Sequence, residues 1–168
     1  MRGSFHPAPT WSPRTIPQRP LRRVEAAGAD YEPQSDSHLR IETACGGQTH
    51  IDEKGFMIGA PELAGEISYD LHTKKDAFRK LGVLEYVVWR VEDKALDWFR
   101  LRGARYKSLR ADAEGVFRSE IFPGLWIDAA SLLAGRLQSV PRVLQAGLAS
   151  AEHQQFVEEL AKRREAKG

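Results

Sequence analysis

One run of nine residues constrains the fold more than any other part of the chain. VLEYVVWRV, at 83–91, is rich in valine and aromatic side chains, which favour β-strands. Three charged residues follow it, and a second apolar run, ALDWFRL, occupies 95–101. Two such runs with a short polar connection predict an antiparallel hairpin. The chain must therefore build a β-sheet around this hairpin.

Segments on both sides predict how that sheet is extended. APELAGEIS, at 60–68, is typical of a buried strand, and YDLHTKKDAFRKLG, at 69–82, predicts a helix that Asp70 caps and Gly82 ends. After the hairpin, RYKSLR and VFRSEIF are expected to continue the strands as a β-meander.

The end of the chain, from about 141 to 166, is predicted to be helical, and its closing lysines and arginines suit a helix C-terminus. Strands with interspersed helices indicate a mixed sheet. The fold class is therefore α/β (α+β), with a mixed central β-sheet flanked by helices, a β-meander and C-terminal helices.

The first 30 residues differ in composition from the rest. They contain five of the nine prolines and five arginines, and proline disfavours both regular helix and central strand. We interpret 1–30 as a disordered, proline- and arginine-rich tail, with a DNA-gripping arm as the alternative. Residues 31–168 are expected to form one partial domain with a C-terminal helical segment.

Composition excludes several classes of protein. The net charge of +2 is too mild to indicate a nucleic-acid partner by itself. Cys45 is the one cysteine, which excludes an internal disulfide and an all-cysteine metal site and fits a reducing cytoplasm. No apolar run approaches the roughly 18 residues of a membrane span. The five histidines lack zinc spacing, and G-x-S-x-G, P-loop and G-x-G-x-x-G motifs do not occur.

Two carboxylates and a lysine form the candidate site. Asp36 stands at the start of a possible strand, Glu66 at the end of the segment ELAGE (62–66), and Lys74 one turn into the predicted helix. Phosphodiester cleavage uses a divalent metal held by carboxylates, and a nearby lysine can orient the attacking water. The alternative is a turn residue, a solvated strand end and a polar helix face, and the spacing alone does not decide between them.

Longer segments carry a family resemblance. GAPELAGEI, SYDLHTKKDAFRKLGVLEYVVWRV and RSEIFPGLWID follow one another in the order found in the Uma-two family, so the chain resembles that family from about 32 to 160. The family in turn resembles restriction endonucleases of the PD-(D/E)xK superfamily. The resemblance implies a restriction-endonuclease-like arrangement of the sheet and its flanking helices.

The resemblance also implies roles for the candidate site. Asp36 and Glu66 would bind Mg²⁺ or Mn²⁺, and Lys74 would assist the water. The implied function is a metal-dependent DNA endonuclease, with DNA as its partner. The alternative is a catalytically inactive, truncated nuclease-fold remnant that at most binds nucleic acid or protein.

Departures from the family pattern lead to further expectations. Typical members carry a longer segment before the aspartate, and Ser35 stands where a proline is usual. The absent early strands predict an exposed sheet edge and a possible homodimer through it. Members also have several small residues where Ile67 here joins Ser68 directly, which leaves Glu66 and Lys74 eight residues apart. Either the helix therefore starts differently, or the three residues are misaligned.

Overall fold

The predicted hairpin belongs to a five-stranded sheet. In this computed structural model, residues 35–68 and 74–167 are described. The strands are β1 (Ser37–Leu39), β2 (His50–Ile51), β3 (Met57–Ile58), β4 (Leu63–Ser68), β5 (Glu85–Arg90), β6 (Ala95–Arg102), β7 (Arg105–Ser108), β8 (Val116–Arg118) and β9 (Trp126–Asp128). The helices are α1 (Lys75–Leu81), α2 (Ala129–Leu133), α3 (Val140–Leu148) and α4 (Ala151–Glu165).

The strand order in the main sheet is β1-β4-β5-β6-β7. β4 and β5 run parallel, with α1 in the connection between them, and the other neighbours are antiparallel. The sheet is therefore mixed, and the α/β fold class predicted from the sequence is confirmed. β1 is an outer strand with all three residues exposed. A homodimer through this edge stays a prediction.

Alternation along the strands divides the core between two faces of the sheet. Tyr86, Val88 and Phe99 pack on one face, together with Phe78 of α1. We call this the α1 face. The other, the α2 face, carries Leu63, Val87, Trp98, Phe117 and Ala129. Tyr86, Trp98 and Phe99 of the hairpin are therefore core residues, whereas Trp89 is only partly buried. Among the described residues, no helix is long and apolar enough to cross a membrane.

The predicted start of the helix was wrong by a few residues. The helix begins at Lys75, so Lys74 precedes the helix instead of lying one turn inside it. Strand β4 ends at Ser68, as the predicted 60–68 strand does, and Glu66 lies two residues before that end. Gly82 ends α1 with a positive φ of 85°, as predicted. The predicted cap, Asp70, lies outside the described residues.

The predicted meander is correct as far as β7 and wrong after it. β8 does not extend the sheet edge but pairs antiparallel with β9. Phe117 of β8 stacks on Trp98 of the α2 face, with ring centroids 5.9 Å apart. Because Val116 and Phe117 are both apolar, packing them over the sheet buries surface that an outer strand would leave more exposed.

Gly147, near the end of α3, allows this helix to pack closely against the turn before β9. A Cβ at this position would lie 2.2 Å from the carbonyl oxygen of Gly124 and 2.8 Å from Cγ of Trp126. We expect Gly147→Ala to lower the free energy of unfolding by about 1–3 kcal/mol, because backbone must shift to admit the methyl group. Gln145→Ala, at an exposed position of α3, should change it by less than about 0.5 kcal/mol in the same thermal melts. Equal melting temperatures for the two variants would contradict this account.

Candidate active site

The pairing of β1 with β4 brings the two predicted acids together. Ser37 lies opposite Gly65, so Asp36 and Glu66 stand at the same end of the two strands. Oδ2 of Asp36 accepts a hydrogen bond of 2.7 Å from the backbone N–H of Ile67. This bond holds the Asp36 carboxylate beside β4, at the residue next to Glu66. Burial is the main cause that raises the pKa of Glu66, and the nearby charge of Asp36 adds to the increase.

Lys74 joins the two acids in spite of the short connection. Its Nζ donates to Oε2 of Glu66 at 2.9 Å. The Glu66 side chain is buried, whereas that of Lys74 is 30% exposed. Glu66 is therefore the buried member of the pair, and Lys74 lies on its solvent side. The eight-residue spacing predicted either a different start of the helix or a misalignment of the three residues. The helix does start later than predicted, at Lys75, and Lys74 still reaches Glu66.

The second carboxylate oxygen of Glu66 is satisfied by none of the protein groups that the structure describes. Oε1 is buried and has no hydrogen-bond partner among the described residues. Burial raises the pKa of Glu66, which Lys74 opposes by a hydrogen bond and by its charge. A buried oxygen without a partner costs free energy, so it marks a place where a cation or a polar ligand gains most by binding.

The donor set is compatible with a hard divalent cation. Asp36 and Glu66 supply carboxylate oxygens, which Mg²⁺ and Mn²⁺ prefer. No group of three or more His, Cys, Asp or Glu side chains that could hold a metal occurs in the described part of the chain. Mg²⁺ usually keeps several waters and takes only one or two protein carboxylates, so two acids suffice.

A second polar group, which the sequence reasoning missed, lies on the same face. The register aligns Glu66 with Val88 and Val88 with Asp97 across three strands. Asp97 accepts from Nε of Arg90 at 2.7 Å. Nζ of Lys75 lies 3.4 Å from the centre of the Phe99 ring, and burial lowers the pKa of Lys75 while Asp97 opposes that shift. The sequence feature that could have indicated this group is Asp97, an acid inside the apolar run at 95–101.

A known protein family matches more than half of the chain. The family model Uma2, described as "Putative restriction endonuclease", matches residues 27–130. The chain belongs to the Uma2 family. The resemblance inferred from the sequence motifs is thereby confirmed. The region matched to Uma2 contains Asp36, Glu66 and Lys74. No curated protein matches the chain.

Two more buried acids lie within the Uma2 region, and both differ from Glu66 in their surroundings. Glu62 accepts from the backbone N–H groups of Ile41 and Gln48, each at 2.8 Å. Glu85 accepts from four donors through its two oxygens. Because both oxygens of each carboxylate are engaged by protein groups, these acids hold loops in place, and Glu66 is the one with a buried oxygen left over.

Proposed function

We propose that this protein is a metal-dependent DNA endonuclease that hydrolyses phosphodiester bonds, with Asp36 and Glu66 holding Mg²⁺ or Mn²⁺. The observation that carries the proposal is the buried Oε1 of Glu66, which has no hydrogen-bond partner among the residues that the structure describes. Asp36 lies beside it, and Lys74 binds the other oxygen. Membership of the Uma2 family supports the choice of DNA as the substrate.

Each side chain has a separate part in this proposal. When bound, the cation supplies charge neutralisation at the phosphate and a lower pKa for a bound water. Glu66 presents Oε1, because Lys74 engages Oε2. Asp36 is oriented by the N–H of Ile67, which keeps its carboxylate beside Glu66. Lys74, at the solvent side of the pair, orients the attacking water and stabilises negative charge that develops on the phosphate.

Titration of the full-length protein with Mn²⁺ by calorimetry tests the metal site. We expect saturable binding by the wild type and loss of that binding in Glu66→Gln, which keeps the side-chain shape but removes the charge. Asp97→Asn is the matched control, since Asp97 lies on the same face in line with Glu66. Two strand spacings, roughly 9–10 Å, separate the two positions, so the control should bind Mn²⁺ like the wild type.

The possible outcomes separate the proposal from its alternative. Equal Mn²⁺ binding by the wild type and Glu66→Gln, or no binding by the wild type, would overturn the proposed site. Saturable binding that Glu66→Gln abolishes should be accompanied by Mg²⁺-dependent cleavage of plasmid DNA. Metal binding without cleavage of plasmid or single-stranded DNA would favour the inactive nuclease-fold module instead.

A further inference from the structure

A strongly basic surface lies on the β6–β7 hairpin. The register places Arg100 opposite Lys107 and Arg102 opposite Arg105. Alternation puts all four on the α2 face, because Trp98, two residues before Arg100, belongs to the core of that face. Residues directly opposite in an antiparallel pair have Cβ atoms about 5 Å apart. We call these four residues the hairpin surface.

Few acids balance this charge. In the described part of the chain, Glu120 is the one acid that pairs with the hairpin surface, through Arg102 and, at 3.5 Å, Nε of Arg100. Arg105 and Lys107 are exposed and form no ion pair with any described residue. Three exposed cations thus share one carboxylate with Arg100, which is largely buried and whose Nη1 donates to the backbone carbonyls of Leu84 and Leu101. Like charges directly opposite each other on a sheet are destabilising, so this arrangement costs the fold stability unless an anion binds.

Protection of the sheet edge does not account for the whole surface. Charged side chains on an outer strand do discourage association with other sheets, and β7 is an outer strand. Arg100, however, lies where β6 is paired on both sides, and Arg102 continues β6 beyond its pairing with β5. Their positive charges add to those of β7 at the same end of the hairpin. This concentration of charge suits the binding of an extended polyanion better than the prevention of edge-to-edge association between sheets.

We propose that the hairpin surface binds backbone phosphates of nucleic acid, outside the active site. Guanidinium groups match phosphate geometry, and each nucleic-acid strand carries a charge about every 3.4 Å along the helix axis. Asp97 is in line with Glu66 across the sheet, and Arg102 lies five residues beyond Asp97 along β6. Arg102 is therefore roughly 17 Å from Asp97, on the opposite face of the sheet. The surface therefore contributes to affinity and does not take part in the chemistry. The inference rests on the proposed function only for its choice of nucleic acid as the polyanion.

The salt dependence of binding tests the inference. A fluorescent DNA duplex is titrated with the full-length protein in EDTA, for the wild type and for the double variant Arg105→Ala/Lys107→Ala. Each lost phosphate contact reduces the slope of log K against log salt by about 0.9, so we expect a reduction of about 1.8. Between about 50 and 200 mM salt, the affinity advantage of the wild type should then shrink roughly tenfold. The variant should fold at least as well as the wild type, because it removes repulsion.

A second double variant controls for net charge. Lys162→Ala/Arg163→Ala removes two exposed cations from α4 and changes the charge by the same amount. An equal reduction of the slope in both double variants, no reduction in the hairpin variant, or no binding of the duplex by the wild type would each overturn the inference. A larger effect on binding to anionic lipid vesicles than on the duplex would also overturn it. The binding assay contains EDTA and no divalent cation, so it does not depend on cleavage. A protein that binds the duplex in this assay but does not cleave DNA when Mg²⁺ is supplied would overturn the proposed function alone.

Discussion

Replacing Lys74 with methionine is expected to slow metal-dependent DNA cleavage by a factor of about 10²–10³ while Mn²⁺ binding persists. Lys74 contacts Glu66 through Oε2, whereas the metal is assigned to Oε1 and to Asp36. Methionine keeps a similar length without the charge, so it removes the group that orients water and leaves the carboxylates in place. Single-turnover cleavage and calorimetry, both at mildly alkaline pH so that Glu66 stays ionised, measure the two effects separately.

Lys75→Met is the matched control for this variant. It makes the same substitution one residue further along, at an ammonium group that contacts the Phe99 ring instead of Glu66. We expect the control to cleave within a few-fold of the wild type. Loss of Mn²⁺ binding in Lys74→Met would show that the lysine holds Glu66 in position. Equal cleavage by Lys74→Met and the wild type would remove Lys74 from the mechanism.

The parts of the fold that could be predicted are those specified by nearby residues. The β5–β6 hairpin follows from two apolar runs and a short polar connection. The end of α1 follows from the glycine at position 82, which adopts a positive φ there. The pairing of β8 with β9 could not be predicted in this way. It depends on burying Phe117 against Trp98, and these residues are brought together only by the folded sheet.

The candidate site shows the same limit. Asp36 and Glu66 lie thirty residues apart in sequence, and they meet because a three-residue strand, β1, pairs with β4. No local pattern specifies the pairing of so short a strand. Spacing alone therefore left the candidate metal site undecided, and the proposed roles of its residues come from the family resemblance. The resemblance did not extend to Asp97 and Lys75. Asp97 lies in a strand packed on both faces, where the alternation of apolar and polar residues that would mark its position is weak.

Glu85 was missed for the same reason, and it supports the largest stability effect that we expect. Oε2 accepts from Nε1 of Trp98 at 3.1 Å and from Oγ of Ser119 at 2.7 Å. Oε1 accepts from the backbone N–H groups of Glu120 and Ile121, at 2.8 and 3.1 Å. Burial raises the pKa of Glu85, and the four hydrogen bonds oppose that shift. The carboxylate thus ties the 119–121 segment to the start of β5.

Glu85→Gln is therefore expected to lower the free energy of unfolding by about 3 kcal/mol or more, although it is nearly isosteric. If the amide NH₂ replaces Oε1, it faces the backbone N–H groups of Glu120 and Ile121. If it replaces Oε2, it faces Nε1–H of Trp98 and the Ser119 hydroxyl, which already accepts from the N–H of Phe122. Urea denaturation measures the loss as a lower midpoint at an unchanged slope. Glu120→Gln provides the control, because Glu120 is a largely exposed partner of arginines and should cost less than about 1 kcal/mol.

Glu85 also bears on the active site through the sheet. β5 pairs in parallel with β4, which carries Glu66, so loosening the start of β5 lowers the stability of the strand pair that holds the site. Glu85→Gln should then lose activity only at temperatures or urea concentrations at which it unfolds. Glu66→Gln, by contrast, should lose activity while fully folded. A Glu85→Gln protein that melts like the wild type would mean that the four donors find other acceptors.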